Sequence, residues 1–297
     1  MKYVPREIND DDDNVNVSKD DPLQTMFKAL IGLGILFFLA FAILAGISEF
    51  MIRCMPNKVN DSLAVVFSSN IKTPERLEPE RAKLQSLLDK LVPHTDFEGD
   101  PFRVEIIAAD YKNAMAFPGR KIAFTTELLK DLNTENEVVM ILGHELGHYH
   151  NSDHLRSLSR GVILMGLFQL LEVGGVGSAS QLVSGSANIY NLKYSRGQES
   201  RADAFGLNLL HQYYGHVAGA VSTFEHLYRE EEETRTMNGV FSTHPITKKR
   251  IRGLRSLIKI HAFSLPEDEA LIPYTFIDPQ SNDDGSDEDP AEPEDIP

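Results

Sequence analysis

The sequence has one cysteine, Cys54, so no intrachain disulfide can form and a disulfide-stapled secreted fold is excluded. It also lacks a basic field. The net charge is −15, but residues 278–297 carry nine acids and no base. Residues 1–21 carry seven acids against Lys2, Arg6 and Lys19, which leaves the middle of the chain nearly neutral. Nothing there attracts nucleic acid, and none is expected as a partner. The acidic ends read as solvated, disordered tails. There is no internal repeat, and long apolar runs are missing with one exception. Ala29 to Ile47 is an unbroken stretch of 19 apolar or glycine residues, extended by Met26, Phe27, Phe50, Met51 and Ile52. As a helix it spans about 30 Å, the hydrocarbon thickness of a bilayer. Its leader is acidic and no small-residue cleavage site is clear, which argues against a cleaved signal peptide. We read residues 26–52 as a single anchor in the lipid bilayer. Lys19 and Lys28 before it balance Arg53 and Lys58 after it, so charge does not fix its orientation.

The chemistry begins at Gly143-His144-Glu145-Leu146-Gly147-His148. On a helix His144 and His148 stand four residues apart on one face, one turn above the other, where two imidazoles can address one metal ion. Glu145 lies beside them, within reach of a water at that ion, as a general base must. The helix is signposted. Thr134-Glu135-Asn136-Glu137 fits a capping box, and Val138, Val139, Ile141, Leu142 and Leu146 give it an apolar face.

Elsewhere the pattern predicts a possible strand at Leu63–Phe67 and an amphipathic helix over Glu80–Val92 ended by Pro93. Strands are expected at Arg103–Asp110 and Lys121–Thr126, forming a hairpin about the Pro118-Gly119 turn. An edge strand near Asn113 and Ala114 is a candidate to hold an extended substrate through its backbone. Ser157–Leu171 reads as a buried helix or a shallow membrane contact, followed by a glycine-rich loop through residues 173–187. Asn188–Tyr214 and Val217–Glu233 read as helices. Ile246–Ile260 reads as a basic amphipathic helix whose Lys248, Lys249, Arg250 and Arg252 form a solvated face. The acidic, proline-rich stretch after Leu265 is expected to dangle.

A catalytic zinc takes three protein ligands and keeps one position for water. Two residues compete for the third place. His154 lies six residues past His148, the metzincin spacing, with Asn151 where a glycine is usual. Glu199 lies on a later helix with Asp203 one turn beyond, where a carboxylate can orient a ligating ring. Two acids on one face need a cation between them, which zinc or Arg201 can supply.

His144-Glu145-x-x-His148, Glu199-x-x-Ala202-Asp203 and Thr243-His244-Pro245 together resemble the HtpX-like and CAAX-prenyl-protease-like zinc metallopeptidases, which include mitochondrial OMA-type enzymes and bacterial periplasmic relatives. Asn113-Ala114 followed by Pro118-Gly119 is similar to that family's segment before its zinc helix, and the likeness covers roughly residues 75–260. The resemblance implies a mainly helical α+β, zincin-like domain with a small sheet and one N-terminal transmembrane helix. It implies one Zn2+ per chain on His144, His148 and Glu199, Glu145 as base, Asp203 behind the ligands and His244 near the reacting carbonyl. The expected organisation is a disordered terminus over 1–25, the anchor over 26–52, a metallopeptidase domain over 55–265 and an acidic tail over 266–297. The expected function is a membrane-anchored, gluzincin-type endopeptidase of protein quality control, acting on proteins or peptides. Single-span relatives suggest a domain on the periplasmic side. The competing expectation is a non-catalytic anchored chaperone or scaffold that keeps a structural zinc.

Overall fold

The computed structural model describes residues 21–67, 71–171, 194–234, 243–266 and 270–279. The expectations for residues 1–20, the glycine-rich stretch and residues 280–297 lie outside these. The chain divides into two units, Met1–Ile47 and Ser48–Pro297. Within the first, everything described after Asp21 belongs to one helix, α1 (Pro22–Cys54), which continues into the second. It starts four residues before the expected anchor because Asp21 accepts a hydrogen bond from the Leu23 amide at 3.0 Å and Pro22 fits a first helical turn. Among the described residues it is the one helix long and apolar enough to cross a membrane, with a mean hydropathy of 2.8 and exposed Leu36, Phe38 and Ile43.

The second unit opens with the last turns of α1 and α2 (Pro56–Phe67). The strand expected at Leu63–Phe67 is therefore helical. Leu63 and Phe67 lie one turn apart and pack together with Leu158 and Met165, a contact that a strand's alternation would break. α3 (Glu78–Leu91) buries Leu84, Leu87, Leu88 and Leu91.

The sheet comprises β1 (Arg103–Ile107), β2 (Ala114–Phe117) and β3 (Lys121–Thr125) in the order β1-β3-β2. The expected hairpin between the first and last of these is not formed. β1 runs parallel to β3, pairing Val104 with Ile122, while β2 pairs antiparallel with β3 through the Pro118-Gly119 turn. The parallel pairing keeps Val104, Ile106, Ile122 and Phe124 fully buried in the main core.

After α4 (Thr126–Asp131), α5 (Glu135–His150) begins on the predicted capping box: Thr134 accepts from the Glu137 amide at 3.3 Å and Glu137 returns to the Thr134 amide at 3.0 Å. Every residue of α5 from Val138 to His148 is buried. α6 (Asp153–Leu171) is the expected helix and buries Leu155, Leu158 and Leu167, but it is only in part a buried one, because Phe168 is 60% and Leu170 80% exposed. The remaining helices are α7 (Arg196–Tyr214), α8 (Ala220–Thr234) and α9 (Lys248–Ile260).

α7 lies against α5 at unusually close range. A Cβ on Gly147 would stand 2.9 Å from the Ala202 Cα, and one on Gly143 would stand 2.9 Å from the Gly206 Cα. Glycine at both positions lets the two backbones meet.

The stretch expected to dangle is in part a brace. The Glu135 amide donates to the Ile272 carbonyl at 2.7 Å, and the Tyr274 amide donates to that of Asn133 at 2.8 Å. Ile272 donates to the Asn136 side chain at 3.0 Å, and Tyr274 and Phe276 pack on the core. Aromatic anchors here outweigh an acidic, proline-rich composition.

Candidate metal centre

α5 and α7, drawn together by their small residues, present His144, His148 and Glu199 to one point, and the loop before α9 adds His244. One donor atom from each of these four lies within 4.8 Å of every other. His144 Nε2 is 3.1 Å from His148 Nε2 and 3.2 Å from His244 Nδ1. Glu199 Oε1 is 3.0 Å from His244 Nδ1 and 3.5 Å from His148 Nε2. A tetrahedron of donors about 2.0–2.1 Å from a zinc has edges of about 3.3 Å, so these spacings suit that ion. All four residues are buried. Glu145 sits beside them at 1% exposure, and neither of its carboxylate oxygens has a hydrogen-bond partner. A buried carboxylate in that condition is costly unless a water, a proton or a cation meets it. Zinc held by His144, His148 and Glu199 alone, whose donor atoms stand 3.1–3.6 Å apart, would leave the corner faced by His244 for a water beside this orphaned acid.

Asp203 lies behind the cluster, its Oδ1 3.0 Å from His144 Nδ1. The cation between the two acids of α7 is neither Arg201, which is exposed, nor part of a solvated face. It is Arg250, whose side chain is 6% exposed. Its Nη1 stands 2.5 Å from Glu199 Oε2 and its Nη2 2.7 Å from Asp203 Oδ1. Sequence reasoning placed Arg250 among solvent-facing bases, although it precedes the inward Leu254 by one turn and so shares its face. Two further residues were missed. Asp153 Oδ2 is 3.2 Å from His148 Nδ1, and Tyr194 stacks on the His148 ring with centroids 4.0 Å apart. The spacing past the end of α5 gave no signal for the first, and nothing in the local pattern marked the second.

The two paired histidines differ in basicity. Burial, seconded by the Arg250 charge, pushes His144 down to about 4 despite Asp203. Burial also opposes the charged form of His148, but the hydrogen bonds to Asp153 and Glu199 prevail and raise it to about 9. Burial works against the Glu199 carboxylate too, and His244, His148 and Arg250 together hold its pKa below the usual range.

The other expected residues fall as follows. His154 is buried, stacked on Tyr149 at 4.4 Å, pushed down to about 3 by burial, and not among the four clustered donors. Asn113 is committed to the fold. Its amide donates to Thr125 Oγ1 at 2.8 Å, its carbonyl accepts from the Thr125 amide at 2.9 Å, and its Oδ1 accepts from Thr243, beside His244, at 3.1 Å. In an antiparallel ladder the next residue, Ala114, turns its backbone groups away from β3. Ala114 is itself fully buried, and Asn113 ties that strand to the His244 loop.

Comparison with known proteins agrees with this geometry. The chain is 28% identical over 164 residues to metalloprotease LoiP of Escherichia coli, covering 54% of this chain and 64% of the relative. It is 29% identical over 167 residues to metalloprotease YcaL of the same species, covering 55% and 65%. It is 29% identical over 157 residues to the mitochondrial metalloendopeptidase OMA1 of Arabidopsis thaliana, covering 52% of this chain and 31% of that one. The chain thus spans a little under two thirds of the length of the two bacterial relatives. The model of peptidase family M48 matches residues 78–258, more than half of the sequence and all of the clustered donors, and the chain belongs to that family.

Proposed function

We propose that this chain is a membrane-anchored zinc endopeptidase in which His144, His148 and Glu199 hold the ion. A bound zinc supplies Lewis acidity and lowers the pKa of a water. Glu145, buried and without a hydrogen bond, accepts a proton from the attacking water and returns it to the leaving amine. His244 Nε2, 3.5 Å from Glu145 Oε1, faces the same space and donates to the developing oxyanion. Asp203 and Arg250 fix the His144 ring and the Glu199 carboxylate. Substrate lies extended along the β2 edge at Ala114, with proteins or peptides as the substrate class. The residues before Ser48 anchor the chain in the bilayer in one pass. The body faces the periplasm, which protease accessibility in intact cells against spheroplasts tests.

The observation that carries this reading is the buried convergence of His144, His148, Glu199 and His244 beside Glu145, whose carboxylate has no hydrogen bond. Relatives named as proteases weigh against the scaffold. The test is casein cleavage by the purified full chain, with and without chelator, beside Glu145→Gln. The variant should retain zinc and lose activity by at least about 100-fold. Cleavage at the wild-type rate by Glu145→Gln refutes the mechanism.

A further inference from the structure

The helix α5 ends at His150, and the chain reverses at Asn151-Ser152, where Ser152 takes a φ of 54°. A non-glycine residue holds such a conformation only when its surroundings impose it. The reversal brings the first residue of α6, Asp153, back against the helix it has just left. Asp153 is fully buried. One of its oxygens faces His148 Nδ1 at 3.2 Å. The other accepts from Gln198 Nε2 at 2.9 Å and lies 3.5 Å from Arg201 Nη2 and 3.7 Å from Arg156 Nη1. Arg156 in turn donates from Nε to Glu49 Oε2 at 2.8 Å and from Nη2 to Glu49 Oε1 at 3.3 Å. It also donates to the Asn151 carbonyl within the reversal. Glu49 lies in the last turns of α1, two residues past Ile47 and within the same unit as the metal cluster.

The arrangement has a chemical direction. A ring that gives its Nδ1 proton to a carboxylate keeps its Nε2 lone pair for a metal, and is held in one orientation while doing so. His148 Nε2 is the nitrogen that meets His144 and Glu199. Asp203 does the corresponding work at His144, but from α7. Asp153 is reached through Arg156 by the end of the apolar helix.

We infer that Asp153 is the positioning residue of His148, and that Glu49 holds it through Arg156, so that the foot of the apolar helix sets the grip of the site on its metal. This rests on the assignment of His148 as a ligand. The apolar helix is then more than a tether. One of its last turns supplies the acid that neutralises Arg156, and Arg156 without that acid is drawn wholly towards Asp153 and the end of α5.

The experiment measures zinc affinity of the full chain in detergent by competition with a chromophoric chelator, with the melting temperature of the zinc-free protein read in parallel. Asp153→Asn keeps the size of the side chain and removes its charge. It should weaken zinc binding about 10–100-fold. Glu49→Gln should weaken it several-fold, and the double variant should be no weaker than Asp153→Asn, because both act along one route. A purely structural part for Asp153 would lower the zinc-free melting temperature and leave the affinity of the folded protein unchanged. If the asparagine variant does not fold, Asp153→Glu, with its carboxylate displaced by one methylene, gives the same readout. His148→Ala separates the two levels of the argument. Zinc affinity retained in His148→Ala removes the ligand assignment. Affinity lost there but intact in Asp153→Asn, or intact in Glu49→Gln, or effects that add in the double variant, overturn the relay.

Discussion

Gly147→Ala tests whether the close meeting of α5 and α7 builds the site. A Cβ at that position would stand 2.9 Å from the Ala202 Cα and from the Phe205 Cβ, and 3.1 Å from the Ala202 carbonyl oxygen. Carbon atoms rest at about 3.5–4.0 Å, so α7 must retreat by about 0.6–1 Å. None of the three atoms is the free end of a side chain. Ala202 lies three residues from Glu199, and the carboxylate travels with it. Overpacking of this kind costs about 1–3 kcal/mol, against which alanine returns about 1 kcal/mol of helix propensity. The same substitution at Gly253 in α9 meets nothing within 4 Å and should collect the propensity gain alone. We expect Gly147→Ala to fall about 1–3 kcal/mol below Gly253→Ala in urea unfolding of the zinc-free protein. Zinc affinity should drop at least about tenfold, as displacing a ligand by a large fraction of an ångström implies. If Gly147→Ala matches Gly253→Ala in stability and the wild type in zinc affinity, the steric account is wrong.

Other consequences are open to measurement. Arg250→Met leaves Glu199 and Asp203 buried without their cation. It should cost the zinc-free protein about 3–5 kcal/mol, a deficit that shrinks when zinc is added, as thermal unfolding with and without the metal will show. His148, raised to about 9 from an ordinary 6.5, contributes stability that is complete below about 6.5 and lost as pH rises through about 9. His144, lowered to about 4, works at the other limb: its contribution is lost as pH falls from about 6.5 towards 4. The zinc-free melting temperature should therefore fall on both sides of near-neutral pH. Zinc binding at pH 7 should release about one proton, from His148, measurable by calorimetry in buffers of different ionisation heat. Truncation after Pro266 removes the hydrogen bonds to Asn133, Glu135 and Asn136 together with the packing of Tyr274 and Phe276. It should cost about 2–4 kcal/mol in the same assays.

What the sequence made legible follows from the range of each signal. The pairing of His144 with His148 is a property of one helix, and the capping box that starts that helix is equally local, so both could be read directly. Glu199 and Asp203 announced a missing cation but not its source. Arg250 supplies it across 47 residues from Asp203, and a base on an amphipathic helix looks solvated until the partner helix is in place. Asp153 is close to His148 in sequence, yet its approach depends on the backward turn at Ser152, which no residue preference signals. Leu63–Phe67 carries two valines beside a phenylalanine and so favours a strand locally, whereas packing against α6 rewards helical spacing. The parallel pairing of β1 with β3 was hidden because it depends on which strand lies between them in space. Composition misled most at residues 270–279, where acid and proline suggested solvent while Tyr274 and Phe276 supplied the anchors.

The brace formed by Ile272, Pro273 and Tyr274 closes on residues made some 140 positions earlier. A ribosome therefore releases every clustered donor well before it releases the residues that clamp the first turn of the helix bearing two of them. An aborted or clipped translation product can carry a complete set of metal-binding side chains and still hold them poorly.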